Sequence, residues 1–201
     1  MSNGPISKSL INIQKEALLS GNWEPLRMYY KPDKINFILI GEAPPNGGER
    51  FFYYDNVTEH DNLFLSTMSA LFPKEVSLFR SNRTASAKRE MLNGFKQMGG
   101  YLMDLLPMPK DKKPSGYGLK YYIQDFFERF CKLEDSITNA EGGLNKDIRI
   151  IIVHKKASDL KPVFEKLGFK CDILPFPLYG QQDSYQTILS SIIREIFNEK
   201  N

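Results

Sequence analysis

The chain has 201 residues, enough for one domain with its own core, and its 27 lysines and arginines against 24 acidic residues leave a formal charge of +3. Hydrophobic residues at 41% and charged residues at 25% exclude a disordered or polybasic-tail composition, while two cysteines and two histidines are too few for a zinc ribbon, a metal cluster or a histidine-based metal centre. The start lacks the apolar core of a signal peptide and no apolar run nears the roughly 18 residues of a membrane span. The expectation is a cytoplasmic protein without metal, cofactor or membrane partner.

Ile6, Leu10, Ile13 and Ala17 have helical spacing and predict a helix over about 6–20, packed outside a sheet. Ile35 to Ile40 (INFILI) is a continuous apolar run of strand length, as expected for a strand covered on both faces. It runs into Gly41-Glu42-Ala43-Pro44-Pro45, then into Arg50-Phe51-Phe52-Tyr53-Tyr54. Helical stripes follow at Phe64, Met68, Leu71 and at Met91, Leu92, Phe95, Met98. Tyr101 to Leu106 (YLMDLL) predicts a second strand and leads into Pro107-Met108-Pro109-Lys110. A third stripe is Leu119, Ile123, Phe126, Phe127, Phe130 and Leu133; residues 134–146 read as a polar surface loop. Ile148 to Val153 is a third strand, ending in His154-Lys155-Lys156. Ala157, Leu160, Phe164 and Leu167 predict a helix stopped by Gly168. Cys171 to Leu174 predicts a fourth strand, leading into Pro175-Phe176-Pro177-Leu178-Tyr179-Gly180-Gln181-Gln182. A closing helix carries Ile188, Leu189, Ile192, Ile193 and Ile196, with Asp183 or Ser184 as its cap. Strands alternating with helices imply right-handed crossovers and one three-layer α/β/α sandwich over 1–201.

In open α/β sheets ligands bind outside the carboxyl ends of the strands, so these four rigid or polar loops would share one cleft. Gly41 allows a tight turn and the prolines stiffen it. Glu42 is then either a partly buried carboxylate suited to proton chemistry or a solvated residue at a loop start. Four consecutive aromatics cannot all face one core, so at least one ring is expected in the rim as a stacking plate, unless all serve to anchor the loop. Asp104 interrupts a buried strand, a costly place for a carboxylate unless it enters the cleft or pairs with a cation.

These residues resemble the uracil-DNA glycosylase superfamily, whose members are α/β/α sandwiches around a central four-stranded parallel sheet. ILIGEAPP, ending at Pro45, resembles the GEAPG motif of the iron–sulfur branch, and Arg50-Phe51-Phe52 resembles that branch's Arg-Pro-Phe. YLMDLLPMP resembles the strand that carries a base-reading asparagine, and Leu174 to Tyr179 resembles a His-Pro-Ser-Pro-Leu-Ser motif. The resemblance implies a hydrolase of the N-glycosidic bond of a damaged or non-standard base flipped from DNA, single- or double-stranded. Glu42 would position or activate water within the Gly41, Ala43, Pro44 turn, Phe52 would stack on the base, and Asp104 would read its edge. Three departures bear on this: Leu174 replaces the histidine that stabilises the departing base, Asp104 replaces the asparagine, and the four cluster cysteines are absent, which excludes the iron–sulfur branch. An ionised aspartate only accepts hydrogen bonds, so it would suit an exocyclic amino group, or donate if burial kept it protonated; uracil is therefore not assured.

Tyr179, Gln181 or Gln182 could replace the missing histidine as donor, the two glutamines being alternatively helix caps. Arg80, Arg83, Lys88 and Arg89, then Lys110, Lys112 and Lys113, then Lys155 and Lys156 fit phosphate contacts along DNA, or form solvated faces. Two other functions stay open: a non-catalytic binder of nucleic acid or nucleotide, and a metal-free hydrolase of a small nucleoside-like substrate.

Overall fold

A computed structural model describes residues 5–58, 60–113, 115 and 118–198. Four strands, β1 (Phe37–Gly41), β2 (Gly100–Asp104), β3 (Arg149–Ile152) and β4 (Cys171–Ile173), pair in the order β2-β1-β3-β4. All three pairings are parallel, with Gly41 opposite Asp104 and Ile40 opposite both Met103 and Ile152. The middle of the sheet is apolar on both faces because both are covered: Phe37, Ile38, Leu39 and Ile40 have no exposed surface. Each contributes about 1.5–3 kcal/mol by leaving water.

Helices α1 (Pro5–Ser20) and α2 (Glu24–Tyr29) precede β1, and α3 (Asn62–Leu71), α4 (Pro73–Ser81) and α5 (Ala85–Gln97) cross from β1 to β2. Next come α6 (Leu119–Cys131) between β2 and β3, α7 (Lys161–Lys166) between β3 and β4, and α8 (Gln182–Asn198) after β4. In this strand order the β1-to-β2 crossover runs one way along the sheet and the other two run the opposite way. Right-handed crossovers therefore put α3 to α5 on one face and α6 with α7 on the other. Contacts agree: α3 packs on α8, and Phe126, Phe127 and Phe130 of α6 meet Phe164 of α7 with ring centroids 5.1–6.1 Å apart. The result is the three-layer α/β/α sandwich expected from the sequence.

Several local expectations are corrected. Helices α2 and α4 were not foreseen. The segment from Ala157 to Leu167 is a 3-10 turn (Lys155–Leu160) followed by α7, whose first turn holds a proline. Asp183 and Ser184 lie inside α8, so neither caps it. Residues 134–146 are more than a polar connector: a 3-10 turn (Glu134–Ile137) buries Ser136 and Ile137, and the Ser136 carbonyl accepts from Ile35 N at 3.0 Å. No described helix is long and apolar enough to cross a membrane.

Candidate active site

Past their paired ends, β1 and β2 stay joined: Leu105 N donates to the Gly41 carbonyl at 3.0 Å and Leu106 N to that of Glu42 at 2.9 Å. This ladder fixes the backbone of Glu42 and Asp104 side by side. Glycine at position 41 leaves room for Asp104, because a Cβ there would run into its Oδ1 and force the carboxylate to shift. Gly48, further along the same loop, has φ +74° and the Trp23 ring where a Cβ would stand, so the turn and the ring fit only without a side chain.

Glu42 is 7% exposed; its Oε2 lies 2.9 Å from His154 Nε2 and forms an ion pair with Lys110 Nζ. His154 is carried there by β3, whose extension is anchored by Val153 N donating to the Ile40 carbonyl at 2.9 Å. Its imidazole stands edge-on to Phe176 from the loop after β4, with ring centroids 5.9 Å apart. Glu42, Lys110, His154 and Phe176 are thus supplied by the segments that follow β1, β2, β3 and β4. Above them opens a cavity of about 500 Å³, within the size range of small-molecule sites. Gly41, Ala43 and Pro44 form part of its lining, together with Phe52, Asp104 and Leu178.

Asp104 does reach this cavity, yet it is also paired internally, as the alternative reading allowed. Arg27 Nη2 donates to its Oδ2 at 2.8 Å, and Arg27 Nη1 donates to Glu24 at 2.6 Å. Arg27 has no exposed surface and Asp104 is 4% exposed. Burial pushes the Asp104 carboxyl above the ordinary aspartate range, against the pull of the Arg27 and Arg129 guanidinium groups. For Arg27 the balance is reversed: burial opposes its charge, but Asp104 and Glu24 outweigh it.

The exposed ring expected among the aromatics is not found at Phe51, Phe52 or Tyr53, which are at most 3% exposed. Phe52 meets Tyr53, Phe64 and Phe95 edge-on at centroid distances of 5.1–5.7 Å, so it forms a fixed wall of the cavity and not a free plate. Tyr179 and Gln181 are also corrected: both are exposed and neither lines the cavity, whereas Phe176 and Leu178 of the same loop do. Leu174 is buried and apolar.

The basic residues split. Arg83 Nη1 donates to the Thr58 carbonyl at 2.9 Å, Lys88 forms a buried ion pair with Asp61 at 2.6 Å, and Arg89 pairs with Asp55 at 3.0 Å. Lys88 is 1% exposed over the Phe64 ring, and burial pushes its partner Asp61 up despite the ammonium. Lys88 is therefore a core residue and no phosphate ligand. Lys110 belongs to the Glu42 cluster, and Lys113 lies over the Tyr122 ring at 4.9 Å. Arg80, at the end of α4, and Lys155 are exposed; the Lys156 side chain is outside the described residues.

His154 and Arg27 are the site residues to which the sequence assigned no chemistry. The first stood in plain view, as the polar residue ending an otherwise apolar run. Among the described residues no group of three or more His, Cys, Asp or Glu side chains converges to hold a metal. No protein-family model matches the chain, and no curated protein or solved structure matches it either.

Proposed function

We propose that the protein is a cytoplasmic hydrolase that cleaves the N-glycosidic bond of a nucleobase flipped out of DNA. The observation that carries this reading is Glu42, a carboxylate 7% exposed at a central strand end, opening into a ligand-sized cavity with Phe52 in its wall. Breaking the bond between C1′ and the base nitrogen builds positive charge on the sugar, which water then attacks. A buried carboxylate supplies both things that step needs, a negative charge facing the developing cation and an acceptor for the water proton. Asp104 supports base reading. With Oδ2 held by Arg27, Oδ1 beside Gly41 is the atom assigned to the base edge, where it accepts from an amino group when ionised and donates when burial keeps it protonated. Arg80, Lys155 and Lys156 are the basic residues assigned to the phosphates of the strand.

One observation favours a second reading, a small nucleoside-like substrate. Arg83, Lys88 and Arg89 are engaged internally, which leaves fewer cations for a nucleic-acid backbone. A panel separates the two. Oligonucleotides carrying uracil, hypoxanthine, xanthine or alkylated bases, and the matching free nucleosides, are incubated with protein and scored for alkali-labile breaks and released base. Breaks in an oligonucleotide support the DNA reading. Release from nucleosides alone supports the second. Salt-sensitive DNA binding without release of any base would contradict both and leave a binding protein.

A further inference from the structure

Resting on the glycosidic-bond reading above, one more group can be assigned. The electron pair of the breaking C1′–N bond goes to the base, which departs faster when a hydrogen-bond donor or a proton meets it. The loop after β4 offers no such group to the cavity: Leu174 is buried and apolar, and the Tyr179 ring is 97% exposed outside the lining. Among the donors that do line the cavity, Asn46, Arg50, His60 and Lys110 are exposed side chains, and Asn62, half-buried, opens α3 away from the strand ends. His154 differs. Its side chain is only 25% exposed, it stands at the end of a central strand, and the 7%-exposed carboxylate of Glu42 lies 2.9 Å from its Nε2. The Phe176 ring, edge-on at 5.9 Å, limits the tilt of the imidazole. An imidazole nitrogen with a carboxylate oxygen 2.9 Å away, both at the cavity, is an arrangement that leaving-group protonation can use.

We infer that His154 is a catalytic residue that donates the proton to the departing base, and that Glu42 restores that proton. Water oxygen bonds to C1′ as the C1′–N bond breaks, and its proton passes to the Glu42 carboxylate. The base takes the electron pair of the broken bond and the proton from His154 Nε2. The proton on Glu42 then crosses to Nε2. One water is consumed, free base and a sugar hydroxyl are formed, and the pair returns to its starting state.

The test uses His154→Gln in the full chain, on an oligonucleotide carrying a cleaved base and on its ring-fluorinated analogue, whose base leaves more readily as an anion. The expected result is a loss of about 10²-fold or more in the single-turnover rate on the ordinary base, with binding unchanged. On the fluorinated base the loss shrinks to about tenfold or less, because a good leaving group needs less help. Equal losses on both bases mean a merely structural role and overturn the assignment, as does an unimpaired variant. If the wild type releases base from neither oligonucleotide, the glycosidic-bond reading itself falls and takes this assignment with it.

Discussion

Two buried carboxylates stand next to one another where β1 and β2 end, and they are held in opposite ways. Asp104 is paired with Arg27, a cation with no exposed surface that is itself clamped by Glu24. Glu42 is paired with His154 and Lys110, whose side chains are 25% and 52% exposed. The first pair can rearrange only by stranding a charge in the core. The second has partners that substrate can reach and displace. The neighbouring carboxylates thus divide into one held by a buried cation as part of the fold and one whose partners line the cavity.

Substitutions sharpen this contrast, starting with the largest effect. Asp104→Ala leaves the Arg27 guanidinium buried without its main counter-charge and should cost about 3–5 kcal/mol in urea denaturation. A loss below about 1 kcal/mol would show that Asp104 is not structurally fixed. Removing both partners, as Arg27→Met with Asp104→Leu, should recover most of that stability, since the penalty lies in the stranded charge. Gly41→Ala drives a methyl group into Asp104 Oδ1 and should cost about 1–3 kcal/mol while displacing the acceptor from the cavity edge. Lys110→Ala, at the half-exposed end of the Glu42 pair, should change stability by less than about 1 kcal/mol. If it destabilises as much as Asp104→Ala, the two carboxylates are held alike and the contrast fails.

How far the sequence reveals this depends on how local each feature is. The β1 and β3 runs are legible because burial on both faces leaves them apolar throughout, and Gly41-Glu42 is legible because it directly follows one of them. Helix α2 escapes because its six residues are too few to establish a period and include a buried arginine. Helix α4 escapes because only Val76 and Phe79 are buried while Leu78 is 73% exposed, so its pattern misleads. In the site, Arg27 lies 77 positions from Asp104, and His154 meets Glu42 only because β3 pairs with β1. Those meetings follow from strand order, which no local spacing encodes. The basic residues mislead for a related reason: Lys88 looks like surface charge until Asp61, 27 positions away, draws it into the core.

The central claim, that Glu42 is a chemical and not a structural carboxylate, is tested most directly by comparing wild type with Glu42→Gln. Free base released in a single turnover is quantified by mass spectrometry, with thermal unfolding followed on the same samples. The account predicts release slowed by about 10²- to 10⁴-fold with stability altered by less than about 1 kcal/mol. Release at the wild-type rate, or a loss of activity fully explained by unfolding, would contradict it.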